Sequence, residues 1–373
     1  MPEHDVLVVG GGPVGLLVAC LLAQDGRRVR VHEQRAEPGR RTRAIGIHRP
    51  GLDALDAAGV GTAVRAEALR LTGGEVRSRG RRLASLDFTA DRPVYTLPQP
   101  RTEGLLRERL QRLQGDALGL GSTVRSVRDD GTVVRVGVDG TDGRREETAS
   151  MVVVADGVRS RLRRAFGVGW ARRPGRARYA MLDVEAPTTD DRAVLFFEPD
   201  GLVESFPLPG GRRRWVVREG QGGPAASAAE LAAVVAARTG QRLVVDDRAT
   251  VSSFVAAQHV AERVHRGRVV LLGDAAHEVS PIGGQGMNLG WTAALRLAAV
   301  LRDTEPGDRP DLDAFARRTR TAAARAQRRS AFFMAMGAPA PVPVVAGRES
   351  LVRTLGSPAL RAWTTGLLTM HGL

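Results

Sequence analysis

The stretch "DVLVVGGGPVGLLVACLLAQDGRRVRVHE" (5–33) reads as strand, turn, helix, strand: an unbroken apolar run, a glycine cluster, a long apolar segment and a second short run. "RPGLDALDAAGV" (49–60) predicts a helix with Pro near its start, and "RTEGLLRERLQRL" (101–113) an amphipathic helix. Between Arg70 and Leu97 short alternating runs predict strands. "STVRSVRDD" and "VVRVGVDG" predict a hairpin about Asp130-Gly131. "SMVVVADGVRSRLRRAFG" (150–167) repeats strand–turn–helix with a different turn, its helix falling at 158–165. Residues 176–218 alternate again, which predicts an antiparallel sheet, and "SAAELAAVVAARTG" predicts a helix. "RGRVVLLGDAAH" returns to a buried strand ending at Asp274. Beyond Gly284 the pattern is helical, with a break at "GAPAPVPVVAG" (337–347).

This order predicts an α/β protein whose first domain is interrupted. The opening βαβ unit, the strand near 152 and the strand near 270 belong to one Rossmann-like domain, 1–69, 98–169 and 261–336. The strand-rich insertions, 70–97 and 170–260, form a second, mixed but largely antiparallel sheet that should carry the substrate. Residues 337–373 form a C-terminal helical segment, with its last stretch packed on the body rather than laid on a membrane.

Length and composition agree. A chain of 373 residues is long for one core and suits two domains. The formal net charge of +14 invites nucleic acid as a partner, but all 55 basic residues are Arg, scattered rather than clustered, and no nucleic-acid signature is present. The expectation is no nucleic-acid partner and no stable membrane insertion, since no apolar run approaches a bilayer-spanning length. The lone Cys20, inside "LLVACLLAQ", is expected as core filler; with no leader ahead of Asp5, a reducing cytoplasm fits.

The chemistry begins at Gly10, Gly12 and Gly15, a G-x-G-x-x-G between a strand and a helix. Gly10 permits the sharp turn, Gly12 lets backbone approach a pyrophosphate, and Gly15 lets helix and strand pack closely. The helix N-terminus offers unpaired N–H groups to phosphate. Glu33 ends the second strand where an acid can bind a ribose hydroxyl, and its being an acid favours an adenosine without a 2′-phosphate, FAD or NAD. Pro13, Val14, Gln34 and Arg35 adjoin these and are counted in the same site. The late segment "GDAAHEVSPIGGQGMNLG" (273–290) decides for a flavin. Asp274 at a strand end can accept hydrogen bonds from ribityl hydroxyls, the turn Pro281–Gly286 can lie against a ring, and the helix starting near Gly286 points N–H groups at charge developing there.

With these three motifs, "GGGPVG" with Glu33, "VVVADGVRSRLRR" and "GDAAHEVSPIGGQGMNLG", the chain resembles the flavoprotein group A aromatic monooxygenases of the para-hydroxybenzoate hydroxylase type. The resemblance implies FAD as cofactor, NADPH or NADH as electron donor, and O2, with a flavin C4a-hydroperoxide oxygenating an aromatic or polyketide-like small molecule, in a monomer or homodimer. It implies Asp274 at the ribityl chain and Pro281 beside the reacting carbon. It also implies Gly284, Gln285, Gly286, Met287 and Asn288 at the ring by backbone, and Arg43 at the phosphates or ribityl, with Pro281 and Arg43 the catalytic candidates. It implies Arg101 as a ribityl ligand, Val127 near adenine, and Asp156, Gly157, Ser160 and Arg163 in the family's Asp-Gly segment. Asp156 can equally cap the helix that follows it. Thr292 stands where Asp is common, and the resemblance predicts a chain that ends near the close of the oxygenase body, with the thioredoxin-like domain of many polyketide hydroxylases expected to be absent.

For the substrate pocket the candidates are His48, Tyr95, Tyr179, Phe196, Phe206, Trp215, Ile282 and Gly283. The aromatic residues can equally be the core of the second sheet, His48 can be a surface histidine, and His277 is expected to pack beside Asp274. Two alternatives stay open: a flavin-dependent reductase of unsaturated lipids, and a non-catalytic flavin-binding partner. A halogenase on this fold would need a lysine, and there is none.

Overall fold

Leu7 and Val8, both fully buried, lie at the middle of the strand His4–Val9, which has a parallel neighbour on each side. The structure, a computed structural model of the chain, describes all residues except 40–43, 142, 187–189, 221–224, 226, 247–248, 306 and 371–373. Among them this sheet runs His265–Arg266, Val269–Leu271, Gly143–Val154, His4–Val9, Val29–Glu33, Leu118–Leu120. The four contacts from Val269–Leu271 to Leu118–Leu120 are parallel, and the first, His265–Arg266 with Val269–Leu271, is antiparallel. The expected hairpin forms from Thr123–Asp129 and Val134–Gly140 and extends the long strand Gly143–Val154.

The first helix, Pro13–Gln24, is apolar on nearly every side and buried from Gly15 to Leu22. It packs between Gln99–Leu113 and Gly286–Arg302. A Cβ on Gly15 would lie 1.9 Å from the carbonyl oxygen of Gly10, so the helix can approach the strand only with glycine there. The fully buried Trp291 donates its indole N–H to the Pro13 carbonyl at 3.0 Å, fastening the late helix to the first.

The second sheet runs Ser252–Ala256, Ala177–Glu185, Arg212–Arg218, Gly201–Leu208, Arg192–Glu198, Gly73–Ser78, Arg81–Asp87. Two stretches far apart in the chain therefore share one sheet, joined by the parallel pair Arg192–Glu198 and Gly73–Ser78. One face packs on the helix Ala228–Thr239, capped by Ser227, through Val194, Phe196, Val203, Trp215 and Val217. The helices Val342–Leu355 and Pro358–Leu368 pack on its outer strand Arg81–Asp87. Among the described residues no helix is long and apolar enough to cross a membrane.

Several local expectations shift. The helix over 49–60 is two, Arg49–Ala57 and Gly61–Glu67, because Gly59 adopts a left-handed φ of 75°. The helix after Asp156 starts only at Arg161. The late break closes at Pro341, since the prolines of "PVPVV" are compatible with a first helical turn. Val94–Thr96 does not join the second sheet; it pairs on one side with Gly46–His48 and on the other with Leu69–Leu71.

Candidate functional site

The Gly-rich turn has the geometry its spacing requires. Gly10 adopts φ 109°, and a Cβ there would meet the Ala155 carbonyl at 2.4 Å. Gly12 caps the first helix without a side-chain hydrogen bond, and a Cβ on it would meet nothing within 4 Å. An uncapped helix N-terminus facing open space is a cradle for an anion. Glu33 Oε2 accepts the Gly11 N–H at 2.8 Å, while Oε1 accepts the Arg35 N–H and Nε–H, both at 2.9 Å. Burial pushes this carboxyl up, but the bonds and charge of Arg35 and the Gly11 N–H outweigh it and hold Glu33 below the usual range.

Asp156 and Gly157 follow the long strand. Asp156 Oδ2 accepts the Arg161 N–H at 3.1 Å, and Ser160 accepts the Arg163 N–H at 3.0 Å. Asp156 thus serves the helix start, while its other oxygen, Oδ1, is buried with no protein partner. Burial, against the bonds from Ser160 and Arg161, raises its carboxyl above the usual value. Arg163 is buried, donates to the Ala275 carbonyl at 3.1 Å, and lies 3.6 Å over the Trp170 ring. Asp274 sits in the turn Gly273–Ala275 with its side chain exposed. His277 packs into the interior two residues further on, neither ring nitrogen having a partner, and burial lowers it to about 4.

In the loop after Pro281, Gly283 and Gly284 adopt φ 90° and 66°. The buried Asn288 anchors this loop: its Nδ2–H donates to the carbonyls of Gly46 and Gly284, both at 3.0 Å. The same side chain accepts the His48 N–H at 2.9 Å. His48 is therefore no surface residue; burial lowers it to about 4, and its ring adjoins Gly284. Thr292 spends its hydroxyl on the Asn288 carbonyl at 2.8 Å.

One cavity of about 990 Å³ joins all of this to the second sheet. From the sequence-derived set it is lined by Gly10, Gly12, Pro13, Val14, Glu33, Gln34, Arg35, His48, Asp156, Gly157, Phe206, Asp274, Pro281, Ile282, Gly283, Gly284, Gly286 and Met287. Gly15 and Asn288 support it from behind, and Gln285 is fully buried with neither amide atom partnered. Arg43 lies outside the described residues.

Other candidates lie off the cavity. Arg101 is paired at the surface with Glu67 and Glu108, 2.7 Å and 3.0 Å away. Gln99, two residues earlier and so about 200° round the helix, lines the cavity instead. Val127 is past the point where its strand leaves the cavity; Thr123 and Val124 line it. Tyr95 packs against the main core, its neighbours Val94 and Thr96 facing in. Phe196 and Trp215 turn to the helix side of the second sheet, and their stacked rings form core, whereas Phe197 and Phe206 face the cavity. Tyr179 is fully buried under Phe254. A strand turns alternate residues to opposite faces, which parts Phe196 and Trp215 from Phe197 and Phe206; Tyr179 shares the face of the cavity-lining Met181 but lies off the cavity. The same alternation brings in Glu204 and Arg214, which composition hid. The available signal was a lone carboxylate within the apolar run "GLVESFPL".

These features fit FAD. The open cradle at Gly12, the acid at Glu33, and Asp274 beside a glycine loop all face one cavity long enough to continue into an apolar chamber. Such a fold and site define a flavoprotein whose Gly-rich turn and late glycine loop open, through one cavity, onto a second sheet. The chain belongs to the FAD binding domain family, whose model matches residues 3–330. It is 31% identical over 400 residues to the 12-dehydrotetracycline 5-monooxygenase/anhydrotetracycline 6-monooxygenase of Streptomyces rimosus, covering 98% of this chain and 76% of that protein. Over 324 residues it is 33% identical to the 6-methylpretetramide 4-monooxygenase of the same species, covering 82% of this chain and 57% of that one. The solved anhydrotetracycline hydroxylase OxyS of Streptomyces rimosus superposes with a TM-score of 0.80 at 29% identity, over 99% of this chain and 76% of that one. The p-nitrophenol 4-monooxygenase PnpA of Pseudomonas putida shares the fold with a TM-score of 0.86 at 24% identity, over 99% and 98% of the two chains. The protein is an FAD-dependent monooxygenase, of a class that uses NAD(P)H and O2.

Proposed function

We propose that this enzyme oxygenates a planar, polycyclic aromatic compound of polyketide type in secondary metabolism. The observation that carries the reading is the single cavity of about 990 Å³ running from the Gly-rich turn, past the 281–286 loop, to an apolar wall on the second sheet. The tetracycline-type relatives support it. Overall, NAD(P)H, a proton, O2 and the substrate give NAD(P)+, water and a product that has gained one oxygen atom.

In this reading Gly12 and the first-turn N–H groups hold the pyrophosphate of FAD, Glu33 the adenosine ribose, and Asp274 the ribityl hydroxyls. Gln99, at the cavity wall, takes the place that Arg101 leaves. Backbone from Gly283 to Met287 lies along the ring, and the helix N-terminus at Gly286 stabilises negative charge there. Bound FAD supplies the redox chemistry that takes electrons from NAD(P)H and passes one atom of O2 to the substrate. The wall formed by Leu195, Phe197, Leu202, Phe206 and Val216 excludes water and positions the substrate. Arg35 is closed on Glu33, so its charge gives no preference for the 2′-phosphate of NADPH over NADH. A reducing cytoplasm suits a chain whose one cysteine is free and buried.

The test is anaerobic reduction of the FAD-loaded protein by NADPH with a panel of phenolic polycycles, followed by aeration under 18O2. Faster bleaching with one compound and one labelled oxygen in its product support the reading. NADPH oxidation that yields only peroxide across the panel overturns it.

A further inference from the structure

Glu204 lies in mid-strand on the second sheet and is 4% exposed. Its strand turns Val203 and Ser205 toward the helix side, and Leu202, Glu204 and Phe206 into the cavity. Its register partners are Leu195 on one side and Val216 on the other, and both line the cavity. The carboxyl is thus framed by apolar side chains above, below and on both flanks. Among the described residues it forms no hydrogen bond and no ion pair. The two cavity-side cations of the neighbouring strand are engaged elsewhere: Arg214 is closed on Asp183, with contacts of 2.6 Å and 2.7 Å, and Arg218 donates to the Met334 carbonyl.

A buried polar group without a partner is unfavourable, because it has given up its hydrogen bonds to water and gained none in return. Placed on a cavity wall, it is completed by whatever enters the cavity. We propose that Glu204 is the polar anchor of the substrate, its carboxyl pairing with a keto or phenolic oxygen on an otherwise apolar polycyclic ring system. The assignment rests on the polycyclic-aromatic reading above and makes the substrate class finer: the ring system carries adjacent keto and hydroxyl oxygens. A carboxylic acid has one donor and one acceptor, which match such a pair. Burial pushes Glu204 up to about 8, so the proton is present at neutral pH. A cationic ligand would instead need the ionised form among apolar neighbours, the costlier arrangement.

The titratable or charged groups facing Glu204 are few. The flanking strand Arg212–Arg218 brings Arg214 and Arg218, and the next strand brings Tyr179 and Asp183. The cavity-facing residues of Arg192–Glu198 that flank it, Ala193, Leu195 and Phe197, carry no charge. His48 stands on the cofactor-side wall.

The experiment reads binding rather than turnover. Oxidised FAD-loaded protein, without NAD(P)H, is titrated with 1-hydroxyanthraquinone and with anthracene, following the flavin absorbance. The wild type should bind the keto-phenol more tightly, and its Kd should rise as pH passes about 8, because the ionised carboxyl cannot donate. E204Q should keep most of the affinity and lose that pH dependence. E204L should weaken 1-hydroxyanthraquinone about tenfold or more and leave anthracene unchanged. FAD content and thermal unfolding of each variant report whether it folds. Equal affinity of E204L and wild type for the keto-phenol, equal losses on both probes, or no wild-type preference overturns the proposal. An anchored but never oxygenated ligand would count against the monooxygenation of polycycles, and leave Glu204's role intact.

Discussion

The side-chain carbonyl of Asn288 accepts the backbone N–H of His48 at 2.9 Å, across 240 residues of chain. Its amide group donates to Gly46 and Gly284, so one buried side chain holds the strand at 46–48 against the glycine loop. Asn288→Ala breaks three hydrogen bonds and leaves two carbonyls and an N–H unpaired. The expected loss is about 2–4 kcal/mol in urea unfolding, with weaker FAD retention.

Gly12 and Gly15 separate folding from binding. A Cβ at Gly12 meets open space, whereas one at Gly15 meets the Gly10 carbonyl at 1.9 Å. Gly12→Val should give a folded protein, with native circular dichroism, that no longer retains FAD through gel filtration. Gly15→Val should not accumulate as folded protein.

Arg101 and Gln99 form a second contrast on one helix. Arg101→Ala removes an exposed ion pair with Glu67, so stability should change by less than about 1 kcal/mol and FAD content should stay at wild-type level. Gln99→Ala, at the cavity wall, should lower FAD affinity at unchanged stability. A flavin titration of the two variants decides between them.

The two aromatic sets on the second sheet should part in the same way. Trp215→Ala opens the core beneath the helix Ala228–Thr239 and should cost about 3–5 kcal/mol, with substrate preference unchanged. Phe206→Ala alters the cavity wall and should raise KM for the substrate with a smaller loss of stability.

His48 and His277 are both depressed to about 4 by burial. Between about pH 6.5 and that value the unfolded chain binds protons that the folded chain does not, so stability rises with pH there and is lost on acidification. Each histidine contributes at most about 3 kcal/mol to this fall. His277→Leu should flatten the slope of unfolding free energy against pH in that window; a slope equal to wild type would refute the assignment.

The order of elements, the Gly-rich turn, Glu33 and the late glycine segment were legible in the sequence because each depends on local chemistry. A turn needs glycine whatever surrounds it, and an unbroken apolar run reads as a buried strand wherever it lies. The sequence also determined which residues of each strand share a face. It could not determine which face meets the cavity. Phe196 and Phe197, neighbours in the chain, differ only in which side of the sheet they take, and that was settled by where the helix Ala228–Thr239 packs. Tyr95, Trp215 and Glu204 were sorted by the same rule. Helical phase moved the wall from Arg101 to Gln99, and packing against the loop at 283–284 buried His48. Periodicity is a property of the backbone alone, whereas the choice of face depends on what the rest of the chain lays against it.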